Sequence, residues 1–341
     1  MTSRRMMMEK WPNYKYYTVC DTPQNWREAA FSDYLNMFCL LTCEGKVYAS
    51  YDCIHWSNAF DLGLYYTYGI VWHKSCFWAF GKKENDNSHT WYVRFQITNN
   101  LTLLNVVEEK SLSWKGDNGY FVVSNNSHLI LSGRDSSSNP GSLSTSDNGQ
   151  TWNRTDLGSY TRAGALDTAN TSVIKLGSVA STTYPNPYIS TNQVNFSAIS
   201  SVTTSLLCDI IFNDNKFILY TVDESGGHPD TDRNIFMSSY DGENWETNYN
   251  ELRKFAGQYI VGGNKKVICY YNGSVAPKWA YSDYSLDNWK LFNSPHSLFS
   301  SSYSSSSDYK SCYGNGKFLF YNRGTWNTQN HSTNRIVLII E

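Results

Sequence analysis

Two groups of residues in this sequence have the chemistry to act on a ligand. Asp167 in GALDTAN and Asp209 in LLCDIIF are isolated carboxylates, and a carboxyl pair flanking a scissile bond is what glycoside hydrolysis requires. A denser acidic stretch, DESGGHPDTD at 223–232, places Asp223, Glu224, His228, Asp230 and Asp232 around a Gly-Gly pair. Hard oxygen ligands on a flexible segment suit Ca2+, although this spacing fits no defined calcium loop. Each group also has a plainer reading: turn or strand-end residues for the two aspartates, a solvated hairpin loop for 223–232. The plainer readings are preferred, so no residue is singled out as catalytic and no cofactor or metal is expected. Ca2+ near Asp223–Asp232 is the alternative.

The elements that would position such residues are announced by a repeat. SYDGENW at 239–245 has a near copy, SYDCIHW, at 50–56 and a longer version, TSDNGQTW, at 145–152. Aligned on a Ser or Thr, an Asp or Asn two residues on, and a closing aromatic or Leu, six sites emerge. They are Ser50-Asp52-Trp56, Thr98-Asn100-Leu104, Thr145-Asp147-Trp152, Ser190-Asn192-Phe196, Ser239-Asp241-Trp245 and Ser282-Trp289, the last without its acid in register. Their starts are 48, 47, 45, 49 and 43 residues apart, a period that marks a repeat architecture.

Within the period, FNDNKFILYTVD (212–223), YGNGKFLFYN (313–322) and GDNGYFVVSNN (116–126) each pair an Asn/Gly turn with an alternating apolar strand. RNIFMSSYDGENW (233–245) adds a strand that ends in the box. Four short strands per period is the arithmetic of a propeller blade. The expected fold is therefore all-β, a β-propeller of seven four-stranded blades. Stepping the period back from Trp56 reaches Trp11, so the last blade borrows an N-terminal strand and both ends of the chain close the ring. The expected organisation is an N-terminal segment, 1–10, and one propeller domain, 11–341.

Composition agrees and excludes several function classes. The 341 residues include 26 Tyr and 12 Trp, with 17% charged residues and a net charge of -2. This supports a large core rich in strand formers and supplies no basic field for nucleic acid. MTSRRMMMEKW has no apolar stretch long enough for a secretory signal, and no later run approaches a membrane span. The eight Cys form no C-x-x-C pair and sit mostly in apolar runs such as NMFCLLTC, which reads as buried free thiols. The N-x-S/T sequons are expected by chance in so Asn- and Ser-rich a chain.

In the box, hydroxyl and carboxylate can satisfy turn backbone groups, Gly149 and Gly242 supply positive φ, and the Trp is buried at the blade edge. The residues Thr145-Asp147-Gly149-Trp152, with Ser50-Asp52-Trp56 and Ser239-Asp241-Gly242-Trp245, resemble the S-x-D-x-G-x-x-W signature of Asp-box (BNR-repeat) propellers. That resemblance covers the chain as architecture. It implies a structural box in a family that includes sialidases, carbohydrate-binding modules and phage tail proteins. The sialidase F-R-I-P-like motif is missing, since VRFQIT at 93–98 has Arg94 before Phe95.

If the boxes close the turn between third and fourth strands, the second-to-third connections emerge on the opposite face. These read as long loops: 81–91, 132–142, 178–188, 223–232, 272–279 and 322–334. Their Ser, Asn, Gly and aromatic content, with Trp91, Tyr184, Tyr188, Trp279 and Trp326, suits adaptable binding loops, and Tyr184, Tyr188, Trp279 and Trp326 are the ligand-binding candidates. Arg4 and Arg5 beside Met6, Met7 and Met8 form a candidate docking segment, similar to short starts of bacteriophage structural proteins. The functional expectation is a non-catalytic virion attachment protein, assembled in host cytoplasm, with other virion proteins and a host surface glycan or protein as partners. A sialidase-like glycoside hydrolase and a purely architectural virion protein are the alternatives.

Overall fold

The computed structural model describes residues 14–21, 24–98, 100–114, 121–125, 127–134, 139–157, 161–176, 186–193, 195–200, 202, 206–223, 233–249, 259–270, 278–283, 285–286, 289–293, 309–322 and 336–340. After β1 (Tyr14–Thr18), the chain repeats one antiparallel meander. Blade one comprises β2 (Trp26–Ser32), β3 (Met37–Thr42), β4 (Lys46–Ser50) and β5 (Phe60–Asp61). Blade two comprises β6 (Tyr66–His73), β7 (Cys76–Lys83), β8 (Asp86–Thr98) and β9 (Leu103–Leu112). Blade three comprises β10 (Val122–Ser124), β11 (Leu129–Arg134), β12 (Pro140–Thr145) and β13 (Asn153–Asp156). Blade four comprises β14 (Thr161–Leu166), β15 (Ser172–Leu176), β16 (Tyr188–Ser190) and β17 (Ser197–Ala198).

Blade five comprises β18 (Leu206–Asn213), β19 (Lys216–Asp223), β20 (Arg233–Ser239) and β21 (Glu246–Tyr249). Blade six comprises β22 (Tyr259–Gly263), β23 (Lys266–Tyr270), β24 (Lys278–Asp283) and β25 (Lys290–Asn293). Blade seven is composite: β26 (Tyr309–Gly314), β27 (Lys317–Asn322) and β28 (Ile336–Ile340) are completed by β1, which runs antiparallel to β28 from Tyr14↔Ile340 to Thr18↔Ile336. Trp11 lies outside the described residues. The first strand of each blade adjoins that of the next, and β26 adjoins β2. The architecture is an all-β propeller, its ring closed by backbone pairing between the two ends of the chain.

The second strand of a blade is covered on both faces, so it reads as an unbroken apolar run. Every residue of β3, MFCLLT, is buried. Because side chains alternate sides, Met37, Cys39 and Leu41 pack with Phe77 and Ala79 of blade two, while Phe38 and Leu40 pack with Leu319 and Tyr321 of blade seven. β7 continues the pattern: Phe77 and Ala79 face blade one, whereas Cys76, Trp78 and Phe80 join Leu129, Leu131 and Leu143 of blade three. Likewise Phe217 and Leu219 of β19 join the blade-four cluster, and Ile218 and Tyr220 the blade-six one. The core is thus a set of interblade layers. None of the seven described cysteines is in a disulfide, and Cys39, Cys43, Cys53, Cys76 and Cys269 are buried within the core.

Closure by one strand is directly testable. Deleting residues 1–8 should leave the melting temperature unchanged, whereas deleting 1–18 removes β1, exposes the edge of β28 and should lower it and promote aggregation. Equal melting temperatures in scanning calorimetry would show that the β1–β28 pairing does not hold the ring.

Candidate functional site

The boxes are held by dense networks of side-chain hydrogen bonds. Each begins on the last residue of a third strand, except the box at 282–289, which begins one residue earlier. In the box at 50–56, Ser50 Oγ donates to Asp52 Oδ1 (3.1 Å) and accepts from the Cys53 N–H (2.8 Å). Asp52 Oδ1 accepts from the N–H groups of Ile54 and His55, both at 2.8 Å. Trp56 Nε1 donates to the Cys53 carbonyl (3.1 Å). The box at 239–245 repeats this, with Ser239 on Asp241 (2.9 Å) and on the Gly242 N–H (2.8 Å), and Trp245 Nε1 on the Gly242 carbonyl (2.8 Å). In the box at 145–152, Thr145 Oγ1 donates to Asp147 (2.8 Å) and accepts from Gly149 N–H (3.0 Å), while both Asp147 oxygens accept from Thr151 N–H (3.0 Å).

The degenerate boxes keep part of the scheme. Ser190 Oγ donates to Asn192 (3.1 Å), whose Oδ1 accepts from Asn195 N–H (2.8 Å). The box at 282–289 moves its acid one residue earlier: Asp283 accepts from the N–H (3.1 Å) and hydroxyl (2.5 Å) of Ser285, and Trp289 Nε1 still donates to the Leu286 carbonyl (2.9 Å). The site at 98–104 is different. Asn100 and Leu101 both have positive φ in a hairpin closed by Thr102 N–H on the Thr98 carbonyl (3.2 Å).

Sequence reading missed what the turn is for. Cys53, Gly149, Gln193, Gly242 and Leu286 all have positive φ, between 62° and 80°, and all contact the preceding blade. Cys53 packs with Leu319 and Tyr321 of blade seven, Leu286 with Ile218, Tyr220 and Phe236 of blade five. A Cβ at Gly149 would meet Trp78 at 2.9 Å and Tyr92 Oη at 3.2 Å, both of blade two. At Gly242 it would meet Ile189 at 2.8 Å and Val173 at 3.1 Å, both of blade four. The residue is a wedge between blades, sized to the face it enters. The signal was the variation at this position, which tracks the neighbour's side chains rather than the box.

These contacts set the electrostatics. Thr151 and Thr145 donate to Asp147 and lower its pKa to about 2. Asn244, with Glu243 and Ser239, holds Asp241 well below the carboxylate range. For Asp52, burial favours the neutral form, but the bonds from His55, Ile54 and Ser50 outweigh it and the pKa falls. His73, at the end of β6, is buried, with Nδ1 2.8 Å from Ser124 Oγ and 3.0 Å from the Asn125 carbonyl of blade three. Burial, reinforced by the charges of Lys74, Arg94 and His128, pushes it down to about 4, so the imidazole is a neutral interblade link at pH 7.

Boxes and first-to-second turns share one face of the disc; second-to-third and fourth-to-first connections share the other. On that second face, the second-to-third segments are short in blades one and two (43–45 and 84–85) and intermediate in blade three (135–139). In blades four to seven they span 177–187, 224–232, 271–277 and 323–335. These four blades are consecutive, so the long segments share one sector. First-strand bulges also lie toward this face, with register shifts at Trp26/Glu28, Thr67/Gly69, Thr161/Ala163 and Leu207/Asp209. Such bulges re-aim side chains. Arg27, at the first, is buried, donates from Nε to the Tyr68 carbonyl (3.2 Å) and lies 5.6 Å from the Tyr66 ring centroid.

The candidates drawn from the sequence fare unequally. Tyr184, Trp326, 224–232 and the docking residues Arg4, Arg5, Met6, Met7 and Met8 lie outside the described residues, and nothing is assigned for the side chain of Asp223. Trp279 is not a loop residue: it is fully buried in β24, its ring edge-on to Phe320 at 4.6 Å. Tyr188 is half-buried in β16, beside Leu157, Phe121 and Phe196. The expected loop at 81–91 is instead the hairpin of β7 and β8. Trp91 packs there beneath Lys83 (4.6 Å to the centroid), and its Nε1 donates to Asp86 (3.1 Å).

The two isolated acids belong to different blades, one just past the end of β14 and the other within β18. Asp167 follows the end of β14 on the box side and accepts from Thr171 N–H (2.6 Å). Asp209 lies within β18 and accepts from the N–H groups of Ile210 (2.9 Å) and Ile260 (3.0 Å), tying blade five to blade six. No group of three or more His, Cys, Asp or Glu suited to a metal occurs among the described residues.

No protein-family model and no curated protein sequence matches the chain. Solved structures do share its fold. YCF48 bound to D1 peptide aligns with 97% of this chain and 96% of its own at 12% identity and a TM-score of 0.61. YCF48 from Cyanidioschyzon merolae aligns over 96% and 98% at 12% identity, and a streptogramin B lyase over 96% and 97% at 10%, each with a TM-score of 0.61. At these identities the likeness carries the β-propeller fold and nothing about activity.

Two measurements check the box. Gly149→Val, which adds a branched side chain at positive φ against Trp78, should cost roughly 2 kcal/mol or more, and Leu286→Ala, which empties the equivalent position, should cost about 2–5 kcal/mol. Near-neutral effects of both in urea denaturation would refute the wedge. Acid should weaken the fold in two stages. The His73 pKa is lowered on folding, so its contribution is complete above about pH 6.5 and lost toward pH 4; the box carboxylates contribute fully above about pH 4 and lose this as pH falls toward 2. His73→Gln should flatten only the upper stage.

Proposed function

We propose that this chain is a non-catalytic attachment module built as a seven-bladed Asp-box propeller, presenting its long-connection sector to a surface glycan or protein. The observation that carries the reading is the division of labour between the two faces. Box carboxylates hold their own turns, and Asp167 and Asp209 accept from backbone N–H groups, so each of these acids has a structural partner. The opposite face concentrates its longest segments on blades four to seven. Ser, Thr, Asn and Gly dominate them, with Tyr184 and Trp326 as aromatic contacts, a composition suited to adaptable recognition.

One structure of similar fold is bound to a peptide, which supports a disc of this form as a platform for a ligand. Placement on a virion, with Arg4, Arg5 and Met6 to Met8 docking the module onto other virion proteins, rests on the resemblance of that segment to phage structural proteins. Shortening tests the reading. Replacing 177–187 and 323–335 with two-residue Asn-Gly turns should leave the circular dichroism spectrum unchanged and reduce retention on bacterial surface polysaccharide at least tenfold. Undiminished retention would contradict it.

A further inference from the structure

The two boxes that are near copies, at 50–56 and 239–245, both place a tyrosine directly after their serine. Tyr240 is 67% exposed and Tyr51 39%. Around Tyr240 the surface folds into an open niche of about 340 Å³ bounded by Tyr240, Asp241, Glu243, Asn244, Trp245 and Glu246, near the lower end of the range for small-molecule sites. We propose that this niche, on the box face and away from the long connections, is a second binding site, for a neutral saccharide.

Its walls are held in place before any ligand arrives. Lys216 Nζ lies 5.3 Å from the centre of the Tyr240 ring, and Lys216 is itself buried, so the ring is anchored while most of it stays in solvent. Trp245 is fixed through its Nε1 bond to Gly242. Asp241 is held by Ser239 and Asn244, and the exposed Glu243 and Glu246 line the niche beside it. Aromatic surface serves the C–H face of a pyranose, and carboxylates accept from its hydroxyls in strong charge-assisted bonds. The same carboxylates repel uronic and sialic acids, and the ammonium already placed over Tyr240 competes with a cationic ligand. Box 50–56 has Ile54 and His55 where 239–245 has Glu243 and Asn244, and so serves as an internal control.

Saturation-transfer NMR on the full chain, with methyl β-galactoside, chitobiose, digalacturonic acid and arginine methyl ester, tests this. Transfer from at least one neutral sugar, at least tenfold weaker binding of digalacturonic acid, loss in Tyr240→Ala and persistence in Tyr51→Ala are expected. Glu243→Gln with Glu246→Gln should weaken the sugar severalfold and relax discrimination against digalacturonic acid, which guards against Tyr240→Ala acting through misfolding. Silence from both neutral sugars, transfer that survives Tyr240→Ala in a chain with native circular dichroism, or transfer from arginine methyl ester alone would overturn the proposal. The chain with shortened connections should keep this binding, so the two sites succeed or fail separately.

Discussion

The structure depends on one small constraint: a hydroxyl and a carboxylate, two residues apart, hold a residue at positive φ against the blade before it. Left-handed backbone costs about 1–2 kcal/mol per non-glycine residue, so the conformation persists only because hydrogen bonds over-determine it. Ser50 and Asp52 do this for Cys53, and Ser239 and Asp241 for Gly242. Where the wedge is Leu286, the acid shifts one position and the closing Trp289 bond remains. A polar turn on the surface thereby sets the spacing of the apolar layers beneath it.

The layers explain how much of the fold was legible. Unbroken runs such as MFCLLT and CFWAF mark strands covered on both faces, and the repeated box gives the period. What the sequence hid was the fate of individual aromatics. Trp279 sits in a segment of Ser, Asn, Gly and Pro, yet it belongs to the strand that follows and packs on Phe320 of the next blade. Trp91 lies in a polar run whose Asp86 and Lys83 build a hairpin around it. Local composition reports exposure of a segment's average residue, whereas burial of a given ring depends on the neighbouring blade. Asp167 and Asp209 show the same limit, since their partners, Thr171 and Ile260, follow only from tertiary placement.

Functionally, the two faces answer different demands. The box face carries short turns held by side-chain hydrogen bonds, which suits rigidity. The opposite face carries the longest second-to-third segments, grouped on four adjacent blades, the sector proposed for recognition. β1 joins these demands to the chain's own order, because the strand that closes the ring, Tyr14–Thr18, lies a few residues after the segment proposed for docking. A load applied at the N-terminus would then act first on the pairing with β28.

The central claim, that this propeller binds without catalysing, is tested most directly by incubating the purified chain with a pool of bacterial polysaccharides and mammalian glycans and following bound and released sugars by mass spectrometry. The account predicts retention of intact glycan with no new fragments. Release of shorter products, with turnover beyond one equivalent of protein, would contradict it.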